Sequence, residues 1–310
     1  MRNAFADEVT VLADLYPELV VLSGDIGNRL FDKFKEHHPK RFYNCGVAEQ
    51  NMTSVAAGMA LGGLKPITYT ITAFATVRCL EQIRVDVCYH HLPVIIVGVG
   101  AGLSYASLGG THHSCEEVAM LRALPNMTVV CPGDPLEVRL ALRAALEWKK
   151  PLYLRMGKKG EPPVHTQTPN FVIGKAIVIK PGTEVCLLGN GTMLSATVAA
   201  GERLAQAQIS TSVVSFHTVK PLDEVFLKEA FQRFSVVAAI EEHSRLGGLG
   251  GSIAEWLTDQ PPQRAKLLRI GTEDRFLHEA GEQEHALELF GLTPGAIVAR
   301  VEKALGRVAR

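Results

Sequence analysis

Short, almost wholly apolar runs alternate along this chain with longer stretches of helical periodicity, and no other feature constrains its fold as much. "LVVLSGD" (19–25), "KPITYTI" (65–71), "PVIIVGVG" (93–100), "MTVVCP" (127–132) and "LYLRMG" (152–157) are strand candidates. Runs that stay apolar at nearly every position suit parallel strands covered on both faces. Between them, Met52, Val55, Ala56, Met59 and Ala60 fall on one stripe of a helix over 48–61. Ser114 and Glu117 in "SCEE" have the spacing of a capping box at the start of a helix over 114–124. Asp134 and Pro135 predict the N-cap and first turn of another over 134–147. The stretch 157–170 has no periodicity and three prolines, so it reads as a surface linker. The alternation then resumes, with strands at 183–191, 211–217, 235–243 and 265–271 and helices at 193–207, 222–234, 250–258 and 294–305. The expected architecture is two consecutive three-layer α/β domains with mainly parallel sheets, residues 1–165 and 166–310, built with right-handed crossovers.

Composition narrows the function. Lys plus Arg equals Asp plus Glu at 32 each, and the basic residues are scattered, which argues against a nucleic-acid or membrane surface. No apolar run reaches the roughly 18 residues that a membrane span needs. The first residues read as an amphipathic helix carrying Asp7, Glu8 and Asp14, not as a signal peptide. Six cysteines form no CxxC pair and no zinc spacing, so no metal site is expected on them. Their apolar surroundings suit free thiols in a reducing compartment, and the expected location is the cytoplasm.

Five constellations could carry chemistry. Glu49, in "RFYNCGVAEQNM" (41–52), sits where a strand turns into a helix, the edge at which open α/β sheets bind ligands. A carboxylate there also favours the helix dipole, by about 0.3–1 kcal/mol. The long loop "GLSYASLGGTHHSCEE" (102–117) carries His112 and His113, and a loop of that length between α/β elements is often functional. Phe74 in "AFATVRCLEQIR" (73–84) stands at a strand-to-helix junction, where an aromatic ring is core or stacks on a flat heterocycle. Arg78 follows it on the helix. Arg155 ends a strand in "LYLRMGK" and could grip a phosphate or carboxylate, or close a domain interface. The glycine-rich "EEHSRLGGLGGSIAE" (241–255) follows a strand and opens a helix, but its spacing is not that of a nucleotide loop.

Taken in order, "GVAEQNM", "LGGTHHSCEE", "LRALPNMTVVCPGDPLEVRLALRAAL", "LYLRMGK", "FHTVKPLDE" and "EEHSRLGGLGG" resemble the C-terminal two-thirds of a transketolase over nearly the whole chain. The resemblance implies a pyrimidine-binding domain followed by a transketolase C-terminal domain, and thiamine diphosphate with Mg2+ as cofactors. It implies that Glu49 binds the aminopyrimidine ring nitrogen of the cofactor. It implies that Phe74 stacks on that ring; Ile71 stands where the family carries the first aromatic of the clamp. His112 matches the substrate-facing histidine of the family, and Arg155 the arginine that holds an acceptor phosphate. His113 and Arg78 are candidate substrate contacts beside them. The family's diphosphate- and metal-binding domain has no counterpart here, because "SGDIGN" (23–28) is not its GDG motif. The resemblance therefore implies one half of a split enzyme, whose Mg2+ ligands lie on a separate N-terminal-type transketolase subunit in an α2β2 assembly.

Departures from the family bear on the substrate. Leu108 stands where transketolases carry an Asp that contacts a donor hydroxyl, Gly110 replaces the following Pro, and Gly100 replaces a phosphate-binding His. The expected reaction is transfer of a two-carbon ketol unit between a ketose and an aldose or other aldehyde, on a less phosphorylated or modified sugar. Two rival readings share the features above. One is the β subunit of a 2-oxoacid dehydrogenase decarboxylase; the other is a non-catalytic partner subunit.

Overall fold

The structure is a computed structural model that describes residues 1–27, 29–158 and 160–307. Asn28, the last residue of "SGDIGN", lies outside the described residues. Among the described residues, twelve strands form two sheets. Strands β1 (Leu19–Ser23), β2 (Phe42–Asn44), β3 (Lys65–Ile71), β4 (Ile95–Val99), β5 (Thr128–Val130) and β6 (Leu152–Met156) belong to the first. Strands β7 (Ile177–Lys180), β8 (Val185–Gly189), β9 (Thr211–Ser215), β11 (Val236–Ser244) and β12 (Lys266–Thr272) form the second, in the order β12-β11-β8-β9-β7. Strand β10 (Thr218–Lys220) leaves the second domain and pairs antiparallel with β5, so the first sheet runs β10-β5-β6-β4-β3-β1-β2. All other pairs are parallel except β7 with β9.

The continuous apolar runs are explained by burial on both faces. Along β1, Val20 and Leu22 enter one core while Leu19 and Val21 enter another, because successive side chains point to opposite faces. Along β8, Cys186 and Leu188 join the same core as Val20, and Val185 and Leu187 join a third. One core is thus continuous between the domains, with helices Glu49–Leu61, Glu224–Arg233 and Leu249–Thr258 packed into it. Helices Arg2–Leu15 and Pro135–Trp148 cover the far face of the first sheet. Among the described residues, no helix is long and apolar enough to cross a membrane.

Asp134 caps its helix as the spacing predicts, its Oδ1 accepting the Glu137 N–H at 2.8 Å. The other expected cap does not form. The helix begins at Glu117, three residues after Ser114, and Ser114 Oγ donates to the Glu117 carboxylate instead. The reason is a stronger partner, Arg155, which claims that carboxylate in the interior. The segment expected as a free linker is tied down. Val164 and His165 donate backbone N–H groups to Asp134 Oδ2, and His165 Nε2 lies 2.7 Å from Glu137 Oε1.

Farther along, Phe171 stacks on His217 with ring centroids 4.0 Å apart. His217 is fully buried, and desolvation pushes its imidazole pKa down to about 4. The unfolded value is about 6.5, so the fold favours the neutral ring. Its contribution is therefore complete above about pH 6.5 and is lost as the pH falls toward 4. His217→Phe, which keeps the stacking, is expected to flatten the acid-side fall in urea-unfolding stability between pH 6.5 and 4. An unchanged slope would contradict this assignment.

Candidate active site

Glu49 is the first residue of its helix and is 3% exposed. Its Oε1 approaches Gly24, just past the end of β1, where a Cβ would also meet Thr70 Oγ1 at 2.8 Å. Glycine at 24 keeps that floor open beneath the carboxylate. Glu49 Oε2 accepts from Arg78 Nη1 at 2.7 Å, which supplies the counter-charge a buried carboxylate requires. The Arg78 guanidinium carbon lies 4.1 Å from the centre of the Phe74 ring, and the His112 ring meets Phe74 edge-on at 5.2 Å. Glu49, Arg78, Phe74 and His112 are thus one contiguous cluster. Arg78, expected beside substrate, is spent on Glu49 and Phe74 instead.

A cleft of about 480 Å³ opens on this cluster, lined by Phe74, Arg78, Gly110, His113, Glu116 and Phe276 among others. Ile71, at the end of β3, is buried and is not among the residues lining it. The base of the loop bearing the two histidines is fixed by a bridge in which Gly102 and Ser114 exchange N–H···O bonds of 2.8 and 2.9 Å. The second domain clamps the same base, because Glu242 Oε1 accepts the Leu103 N–H at 2.7 Å. Within the loop, His112 Nδ1 is 2.9 Å from Thr111 Oγ1, and His113 Nε2 is 3.3 Å from the Ala106 carbonyl. Burial, and secondarily the neighbouring His113, lower the His112 pKa below its ordinary value, so its imidazole is neutral at pH 7.

Gly100, expected to lack the family's phosphate-binding His, and Arg155, expected to hold a phosphate, both have other surroundings. Gly100 has φ +76°, and a Cβ there would lie 1.9 Å from the Tyr105 ring. The aromatic ring therefore fills the space that a larger residue would need. Lys158 Nζ rests 4.6 Å from the centre of that ring. Arg155 is 2% exposed. Its Nε donates to Glu117 Oε1 at 2.5 Å, and its Nη2 to the carbonyls of Ser114 and Glu242 at 3.1 and 2.9 Å. It joins the domains rather than facing the cleft, as an arginine closing an interface does. Desolvation pushes the Glu117 carboxyl up, but Arg155 above all outweighs it and holds Glu117 below the usual carboxylate range.

The glycine-rich turn is likewise occupied from within. Glu241 accepts the N–H groups of Leu249 and Gly250 at 2.6 and 2.9 Å, filling the helix N-terminus that a ligand anion would use. Burial pushes its carboxyl up to about 7 despite those bonds. Gly248 is required beside it, because a Cβ would lie 2.0 Å from Glu241 Oε2. Sequence reasoning missed Glu116 and Phe276 as cleft residues. The signal for Glu116 was a second acid in "SCEE"; Phe276 comes from a distant segment with no local signature.

A carboxyl group buried beside an aromatic ring at a strand's end fits the pyrimidine half of a thiamine site. Residues 1–162 match the family model "Transketolase, pyrimidine binding domain", and residues 174–297 match "Transketolase, C-terminal domain". A putative transketolase C-terminal section from Methanocaldococcus jannaschii is 34% identical over 97% of this chain and 95% of its own length. A 6-deoxy-6-sulfo-D-fructose transketolase subunit from a Clostridium species is 34% identical over 96% of this chain and 92% of its own. The solved structure described as "Split gene transketolase, inactive beta4 tetramer" superimposes with a TM-score of 0.91 at 34% identity, covering 98% of both chains.

The Arg155–Glu117 pair yields a stability test. Arg155→Met leaves Glu117 charged and buried without its partner, and the expected loss is about 3–5 kcal/mol in urea unfolding. Adding Glu117→Gln should recover part of that loss. A loss below about 1 kcal/mol for the single variant would contradict the interior role. On the sequence and fold together, the chain belongs to the transketolase family, as its pyrimidine-binding and C-terminal portion.

Proposed function

We propose that this chain is one subunit of a split, thiamine diphosphate-dependent transketolase-like enzyme that transfers a two-carbon ketol unit from a ketose to an aldehyde. The observation that carries the reading is Glu49, a buried carboxyl paired with Arg78, which itself rests on Phe74 and lines the cleft. When bound, thiamine diphosphate supplies the electron sink that breaking a carbon–carbon bond beside a carbonyl requires. Glu49 would share a proton with the aminopyrimidine ring nitrogen. Phe74 offers a ring to stack on, Ile71 backs the end of β3, and Arg78 balances the buried charge. Neutral His112 accepts a proton from a substrate hydroxyl, and His113 orients that hydroxyl.

A separate chain provides the diphosphate and Mg2+ ligands, in an α2β2 assembly. Support comes from relatives named as transketolase subunits and sections, and from Glu241 filling the one glycine-rich turn singled out in the sequence. The sugar is less phosphorylated than a pentose phosphate, because Arg155 is committed to Glu117 and Tyr105 fills the space at Gly100. Relatives named as transketolase subunits favour ketol transfer over decarboxylation of a 2-oxoacid.

Two outcomes test the reading in the complex reconstituted with its N-terminal-type subunit. Glu49→Gln is expected to lower kcat by at least about 100-fold, a typical loss for a proton-handling group. Turnover close to that of the native chain would instead indicate a non-catalytic partner. The native complex is expected to prefer unphosphorylated sugars by kcat/KM. Equal or better use of xylulose 5-phosphate with ribose 5-phosphate would sink the substrate assignment.

A further inference from the structure

Two cavities meet on the loop that carries His113. One is the cleft beside Phe74. The other, of about 240 Å³, lies between the domains and shares His113, Glu116 and Phe276 with it. Its far wall comes from the second domain, from Ser244, Thr272 and the segment 273–277. We propose that this inter-domain cavity is a substrate subsite that takes the distal, hydroxyl-bearing end of an uncharged sugar. The inference rests on the proposed function, which puts the reacting end of that sugar at the cofactor for which Phe74 offers a stacking ring.

Three features of the cavity select this ligand. The first is mixed chemistry at close quarters. Carbohydrates offer hydroxyls along one edge and C–H groups on a face. Here Glu116, Asp274 and Ser244 line the same cavity as Leu103 and Phe290. Phe276, a large ring left 69% exposed, stands where the two cavities join. An aromatic face in that position suits the C–H face of a sugar chain passing from one cavity to the other.

The second feature is charge. Arg275 lines the cavity with a guanidinium that is partly engaged. Its Nε donates to Glu273 Oε2 at 3.2 Å, its Nη2 reaches the Leu289 carbonyl at 3.4 Å, and it lies over the Phe290 ring at 4.5 Å. Against that one guanidinium the lining sets the carboxylates of Glu116, Glu273 and Asp274. A sugar hydroxyl donates to a carboxylate in a charge-assisted hydrogen bond, whereas a phosphate there meets repulsion of the same sign. The third feature is size. At about 30 Å³ for each water-sized group, the cavity holds about eight heavy atoms, which is a three- or four-carbon polyol segment.

Both walls belong to this chain, so binding can be read on the full chain alone. Saturation-transfer NMR with D-ribose should show transfer from the protein, reduced at least about fivefold in Phe276→Ala and in Asp274→Asn. D-ribose 5-phosphate should compete more weakly than D-ribose. Unchanged transfer in both variants, or stronger competition by the phosphate, overturns the subsite. In the reconstituted enzyme, the ratio of kcat/KM for D-ribose to that for glycolaldehyde, which is too short to reach the subsite, should fall about tenfold in Asp274→Asn. A constant ratio also overturns it. Ribose binding lost in the variants, in a complex that turns over no aldehyde, would sink the proposed ketol transfer and leave the subsite standing.

Discussion

The buried ion pair between Arg155 and Glu117 is the contact on which the rest of the arrangement depends. Arg155 ends β6 of the first domain, and its guanidinium also binds the carbonyls of Ser114 and Glu242. One side chain therefore ties together a sheet, the base of the histidine loop and β11 of the second domain. Removing two charges from water is costly unless every polar atom is matched. Here the matching is extensive, with Ser114 Oγ on Glu117 Oε2 and the Tyr153 hydroxyl on Glu117 Oε1. Such a network has few alternative arrangements, which suits a joint that holds the histidine loop in register. Glu242 extends it by accepting from Leu103, Thr192 and Gln283.

The candidate site has a different electrostatic solution. Glu49 is as buried as Glu117, but its counter-ion Arg78 is partly exposed and rests on Phe74. A charge balanced by a side chain at the surface can exchange that partner for a ligand at little cost, whereas Glu117 cannot. This contrast separates the carboxylate suited to cofactor chemistry from the one suited to structure. It also explains why an arginine at a strand end, read in isolation, is ambiguous between the two roles.

Much of the fold was legible because burial on both faces leaves a signature in every residue of a strand. Strands β1, β3, β4, β6, β8, β9 and β12 fall within a few residues of their apolar runs. Strand β2 was read as the strand end before Glu49, whereas β7 and β10 were not seen. Each has three or four residues and lies at a sheet edge, so its pattern is too short to carry a period. The capping box at Ser114 failed because a local motif was outcompeted by a partner 38 residues away. Glu49 and Phe74 were legible because each sits at a strand-to-helix junction, which sequence marks well. Glu116 and Phe276 were not, because their meeting depends on how the second domain docks, and no local spacing encodes that.

The account turns on a cofactor site divided between chains, and calorimetric titration of thiamine diphosphate with Mg2+ tests it most directly. The titration is run on this chain alone, and then on its mixture with a separately expressed N-terminal-type transketolase subunit. Tight binding in the mixture and none to the lone chain is the predicted result. Equally tight binding to the lone chain would contradict the account, because a diphosphate site would then have to exist within these residues.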